Sequence, residues 1–326
     1  MRSHGLTDDF SDDFSDDHHD YNPRVRRRGR FDDDPQPTRS GRLTEAEKAR
    51  LARVRDDAYT TQGLLPEGAD RWSTWGDAEQ GPTPRPDWLV TDLAAADTEL
   101  GVLKTGKEAD VFLLERAVPG GATCVLAAKR YRGGEHRLFH RDAGYLEGRR
   151  MRRSRENRAI AGRTSFGRNL IAEQWAVAEF AALGRLWAAG APVPYPVQRD
   201  GTELLLEFVR PAAGAATEGA PRLAQVRPGA DELRDLWEQL VRALEVIAAE
   251  GLTHGDLSAY NLLVRDGELV VIDLPQVVDV VANPAGQDFL ARDVANIASW
   301  FAGRGLPADV GDAGALTARL LSAAGV

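Results

Sequence analysis

A chain of 326 residues with 43% hydrophobic content can bury a sizeable core, and its length fits one two-lobed domain beside an N-terminal extension. The formal charge of −9 makes any basic patch a local feature on an acidic background, and a single cysteine, Cys124, excludes an internal disulfide. No apolar run is long enough to span a bilayer, and the N-terminus is acidic where a signal peptide needs a basic start, so a cytoplasmic protein without membrane contact is expected.

The chain opens on a low-complexity stretch. Asp8 to Asp17 repeats a four-residue unit, and Arg24, Arg26, Arg27, Arg28 and Arg30 follow. Charge blocks of this kind bury too little apolar surface to offset chain entropy, so residues 1–43 are expected to be a disordered tail. Residues 44–92 read as a short helix with a linker, the helix running from Thr44 to Asp57 with a possible capping residue at its start.

From Leu100 to Leu114 the pattern is strand, loop, strand, with Thr105-Gly106-Lys107-Glu108-Ala109-Asp110 as the loop. The stretch from Gly101 to Glu108 nearly fits a Walker A loop. It lacks the hydroxyl at its last position, which is Glu108, and it runs into a strand where a Walker loop opens a helix. After the turn at Pro119-Gly120-Gly121 comes a third strand, Thr123 to Lys129, in which Cys124 reads as a buried thiol. Alternation puts Val125, Ala127 and Lys129 on one face. Lys129 can then reach the α- and β-phosphates of a nucleotide, Ala127 leaves room for a flat adenine, and Val111 covers the ring. A solvated strand lysine is the alternative for Lys129.

A basic block follows, with Arg149, Arg150, Arg152, Arg153, Arg155, Arg158, Arg163 and Arg168. It reads either as a solvated insertion or as a surface for RNA phosphates or an acidic partner. Ala172 to Ala189 has helical spacing at Ala176, Phe180, Leu183 and Trp187. Glu179 neighbours that stripe, where it either pairs with Lys129 or stays in solvent. Asp200-Gly201 then turns a hairpin, and Glu207-Phe208-Val209 leads into Pro211, Gly214 and Gly219 like a hinge whose backbone would hydrogen-bond adenine.

The densest chemistry lies further on, in His254-Gly255-Asp256-Leu257-Ser258-Ala259-Tyr260-Asn261 and in Asp273 at the end of an apolar run. Asp266-Gly267 reads as a tight turn that brings Asn261 and Asp273 together. One Asp to orient an attacking hydroxyl, with an Asn and a second Asp to hold Mg²⁺, is what phosphoryl transfer from a metal nucleotide requires.

The loop Thr105 to Asp110, the stretch Asp256 to Asn261 and Ile272-Asp273-Leu274-Pro275-Gln276 together resemble the RIO family of atypical serine/threonine protein kinases. The resemblance spans about Thr98 to Phe301. It implies an α+β, bilobal protein-kinase-like fold over residues 93–326. The small β-rich N-lobe would span about 93–209 and the helical C-lobe about 210–326, without an activation loop or peptide-docking region.

By the same resemblance Asp256 is the catalytic aspartate, with Asn261 and Asp273 as metal ligands. Lys129 and Glu179 form an ion pair, and Thr105, Gly106 and Lys107 belong to the phosphate loop. ATP and Mg²⁺, with Mn²⁺ as an alternative metal, are the implied cofactors. Two features depart from the family's fullest pattern. His-Gly-Asp is also found in aminoglycoside- and choline-type phosphotransferases, and no winged-helix pattern precedes the core.

The function expected is Ser/Thr phosphorylation of proteins or of the chain itself. The alternatives are an ATP-driven assembly factor, related to RNA or a ribosomal particle through Arg149–Arg168, and a small-molecule kinase. Oligomeric state is not legible from the sequence.

Overall fold

The computed structural model describes residues 64–132 and 165–326, with only the backbone course given for 165–170. The acidic repeat, the helix expected over 44–57 and the basic block up to Arg163 lie outside the described residues. Arg168 falls on the first turns of a helix, where only the backbone is given.

Seven antiparallel strands form one sheet. They are β1 (Arg71–Trp72), β2 (Glu79–Gln80), β3 (Ala96–Thr105), β4 (Ala109–Ala117), β5 (Thr123–Tyr131), β6 (Pro196–Asp200) and β7 (Glu203–Glu207), in the spatial order β1-β3-β4-β5-β7-β6-β2. The two strand–turn–strand patterns and the third strand read from sequence are β3 to β5 and the β6–β7 hairpin. The two outermost strands come from the segment read as linker. Each is two residues long, too short to show a period-2 alternation.

Alternation sorts β5 cleanly. Cys124, Leu126 and Ala128 are buried on one face with Trp75, Leu114, Tyr195, Val197 and Leu205. Val125, Ala127 and Lys129 point to the other. Burial pushes the Cys124 thiol up from its ordinary value, consistent with an inert packing residue. The sheet also holds a buried polar clasp. Arg116, fully buried, donates to both oxygens of Asp97 at 2.8 and 3.0 Å and to Gln198 at 2.9 Å.

Helix α1 (Ser165–Ala188) packs beneath the sheet, where Ala172, Ala176 and Phe180 meet Tyr131 and Leu204. The larger core lies in the second lobe, built on α2 (Ala230–Ala249), α3 (Gly286–Ala302) and α4 (Ala313–Ala323). On α2 the buried residues Leu233, Leu236, Trp237, Leu240 and Leu244 recur at helical spacing. Short antiparallel pairs, β8 (Leu252–Thr253) with β11 (Val278–Asp279) and β9 (Leu262–Arg265) with β10 (Glu268–Val271), carry the chain through the cleft. The β9–β10 turn has positive φ at both Asp266 (52°) and Gly267 (85°), the type I′ geometry the Asp-Gly pair implied. Among the described residues no helix is long and apolar enough to cross a membrane.

Candidate active site

Lys129 is the centre of the site. It lies on β5, is 7% exposed, and its Nζ donates to Glu179 Oε1 at 2.7 Å and to Asp273 Oδ1 at 2.6 Å. The alternatives of a solvated lysine and a solvated glutamate are therefore overturned, since α1 turns Glu179 inward until it is 1% exposed. Glu179 Oε1 also accepts from the Leu274 amide at 3.1 Å, and Oε2 accepts from the Tyr131 hydroxyl. One carboxylate thus joins the helix, the sheet and the residue after Asp273.

The charges are mutually dependent. Burial alone would lower the Lys129 pKa, but the Glu179 and Asp273 carboxylates outweigh it and hold the ammonium above the ordinary lysine value. Burial alone would raise Asp273. The Lys129 charge and hydrogen bond, with Lys104 adding to them, instead bring its carboxyl down to about 2. The Tyr131 hydroxyl is pushed well up, first by burial and then by the Glu179 charge.

The segment from His254 to Asn261 is held by its backbone. Asp293 on α3, 1% exposed, accepts from Thr253 Oγ1 at 2.9 Å and from the Gly255 and Leu257 amides at 2.6 and 3.1 Å. His254 Nε2 lies 3.0 Å from the Ile272 carbonyl and Nδ1 3.3 Å from the Asp256 amide. These partners assign the proton to Nε2, because Nδ1 must accept. The Asn261 side-chain amide donates to the Asp256 carbonyl at 2.9 Å, and the Asn261 backbone carbonyl accepts from the Ile272 amide at 2.9 Å. Asp256, Asn261 and Asp273 are thereby fixed relative to one another.

Gly255 explains the His-Gly-Asp sequence. It has φ of 84°, and a Cβ there would lie 2.2 Å from the Gln276 carbonyl oxygen. Only glycine allows the segment carrying Asp256 to approach the segment after Asp273 so closely.

Between the lobes lies a cavity of about 500 Å³. Its apolar lining includes Val111, Ala127, Leu206, Val209, Leu263 and Ile272, and Gly106, Lys107, Lys129, Glu179 and Asp273 also line it. The Gly106 amide donates to the Ala109 carbonyl at 3.0 Å, and a Cβ on Gly106 would stand 2.8 Å from that oxygen, so this loop also requires its glycine. The loop leads into a strand, as the argument against a Walker loop required.

Of the residues picked out from sequence, Thr105, Asp256 and Asn261 do not line this cavity. Thr105 is exposed at the end of β3, and Asp256 is exposed. Glu207 contributes to the wall, but its carboxylate is engaged by the Tyr195 amide at 3.1 Å and Arg265 at 2.9 Å. Its amide also donates to the Tyr195 carbonyl at 2.9 Å. The Val209 carbonyl accepts from the Ala220 amide at 2.9 Å.

Sequence reasoning gave no role to Tyr131 or Asp293. Tyr131 is legible by alternation, two residues beyond Lys129. Asp293 is an acidic residue inside the apolar stripe Leu290, Val294, Ile297 and Phe301, and a carboxylate there implies buried donors facing it.

The donor set suits a shared hard cation. Among the described residues no group of three or more His, Cys, Asp or Glu is placed to cage a metal. The Asn261 side-chain nitrogen is committed to the Asp256 carbonyl, which leaves the side-chain oxygen as its remaining donor atom for a metal. Few protein oxygens, with the rest of the shell left to water and phosphate, are what Mg²⁺ takes at nucleotide sites.

A model of the RIO domain matches residues 129–312 of this chain. The RIO-type serine/threonine-protein kinase Rio1 of Haloferax volcanii is 32% identical over 268 residues, covering 82% of this chain and 85% of that protein. The serine/threonine-protein kinase RIO1 of Caenorhabditis elegans is 30% identical over 241 residues, which is 70% of this chain but 42% of that protein. A domain match of that extent, a relative aligned over most of both chains, and the Lys129–Glu179 pair together place the chain in the RIO family of serine/threonine-protein kinases.

Proposed function

We propose that this RIO-type kinase binds Mg²⁺-ATP in the cavity between its lobes and passes the terminal phosphoryl group to a serine or threonine of a protein or of itself. The observation that carries the reading is the Lys129 ammonium, buried and held by Glu179 and Asp273 in a cavity that Val111, Ala127, Leu206, Leu263 and Ile272 also line. Adenine lies between Val111 and Ala127 on one side and Leu263 and Ile272 on the other, and the backbone of Glu207 to Val209 reads its edge. Gly106, Lys107 and Lys129 hold the phosphates.

Asn261 and Asp273 would hold the metal, which supplies charge neutralisation of the phosphates when bound. Asp256 is exposed, so an acceptor hydroxyl can reach it from solvent. It orients that hydroxyl and accepts its proton.

The test is to incubate the protein with γ-labelled ATP and Mg²⁺, alone and with a generic protein acceptor. Label on seryl or threonyl residues of either is expected. Release of inorganic phosphate with no labelled protein would replace this reading with that of an ATPase-driven assembly factor.

A further inference from the structure

Strand β3 lays a second lysine over the site by means of an irregularity in its pairing. Val102 faces Phe112, but Lys104 faces Val111, so one residue of β3, Leu103, is extra. Continuing the Val102–Phe112 register would put Leu103 opposite Val111 and turn Lys104 to the other side of the sheet; the shift at Leu103 offsets an earlier one between Glu99 and Gly101 and keeps Lys104 on the face of Ala96 and Thr98. Val111 in turn faces Lys129 on β5. Directly opposed residues of adjacent strands share a face, so Lys104, Val111 and Lys129 form one row across three strands, and all three line the cavity.

Both oxygens of Asp273 consequently meet an ammonium. Lys129 Nζ lies 2.6 Å from Oδ1, and Lys104 Nζ lies 4.0 Å from Oδ2. The Lys104 contact is the looser one, its side chain 49% exposed against 9% for Lys129. Lys129 is anchored in depth by Glu179, whereas Lys104 approaches from the lip of the cavity.

We infer that Lys104 is a phosphate-binding residue of this site, one that grips the outermost phosphate and so favours ATP over ADP. The inference rests on the reading of the cavity as a nucleotide site. When the Asp273 carboxylate turns to a metal ion, both ammoniums lose a carboxylate oxygen, and phosphate oxygens are the replacement each requires. Lys129, immobilised by Glu179, serves the inner phosphates. Lys104, half in solvent on a strand that ends at the phosphate loop, reaches the outer one.

The test is calorimetric titration of the full chain with ATP, ADP and adenosine in the presence of Mg²⁺, for the wild type, Lys104→Gln and Lys104→Arg. In Lys104→Gln, ATP affinity should fall by about tenfold, as loss of one charge-assisted hydrogen bond implies. ADP should lose less, and adenosine should bind as in the wild type, which also certifies the fold of the variant. Lys104→Arg keeps the charge and should retain most of the ATP affinity. Unchanged ATP affinity in Lys104→Gln, or one common factor of loss for all three ligands, would overturn the assignment. If the wild type bound none of the three, the nucleotide-site reading itself would fall, an outcome distinct from a wild type that binds ATP and a variant that binds it equally well.

Discussion

Lys129 and Asp273 are each other's nearest charged partner: Nζ lies 2.6 Å from Oδ1, although one is assigned to phosphate and the other to metal. With a metal nucleotide bound, Asp273 would turn to the metal and phosphate oxygens would replace its carboxylate at Lys129, which Glu179 would still hold. The pair holds the two groups at working distance before either ligand arrives.

That relationship makes the two positions respond differently to mutation. Lys129→Ala strands the buried Glu179 carboxylate, so it should destabilise the fold by about 3–5 kcal/mol as well as abolish transfer. Asp273→Ala leaves Lys129 with Glu179 and should cost much less stability while abolishing transfer just as fully. Denaturant midpoints of the two variants check this, and equal losses would contradict the partner assignment.

Acid should weaken the fold through the same pair. The Asp273 carboxyl is depressed from 3.8 to about 2, so its contribution is fully present above about 4 and is lost as pH falls through about 2. Asp273→Asn should flatten the decline of stability between pH 4 and 2, as measured by urea unfolding at stepped pH. A decline of unchanged steepness in the variant would assign the acid sensitivity to other carboxylates.

Asp256→Asn should leave nucleotide affinity nearly intact and lower turnover by about 10²–10⁴-fold, the range for a positioned base. Steady-state phosphate transfer beside ATP titration measures both. Asp256 lies outside the cavity lining, so a large loss of ATP affinity would be contrary to its placement.

Gly255→Ala adds a Cβ that would stand 2.2 Å from the Gln276 carbonyl, at a φ of 84°. Backbone strain of this kind costs on the order of 1–3 kcal/mol, and relief requires the segment after Asp273 to move. Lower thermal stability and lower turnover are expected together, read from a melting curve and a transfer assay on the same sample. A variant matching the wild type in both would show that the close approach is dispensable.

Much of the site was legible because its chemistry is local in sequence. Asp256 and Asn261 lie on one short segment, and Asp266-Gly267 announced the turn that returns Asp273 to them. Lys129 followed from strand alternation. The rest depended on packing. Whether Glu179 faced inward was undecided at helical spacing, and only its pairing with Lys129 and Tyr131 settled it. Lys104 drew no notice in the sequence, although the two register shifts of β3 offset one another and leave it on the face of Ala96 and Thr98. Strands β1 and β2 join the sheet through pairing with β3 and β6, which two-residue segments cannot signal alone.

The central claim is that Asp273 binds the metal of a metal nucleotide and leaves Lys129 to the phosphates. It is tested most directly by measuring ATP affinity with and without Mg²⁺ in the wild type and in Asp273→Asn. The account predicts that Mg²⁺ strengthens ATP binding by the wild type and has little effect on the variant. A variant that gains as much from Mg²⁺ as the wild type would contradict it.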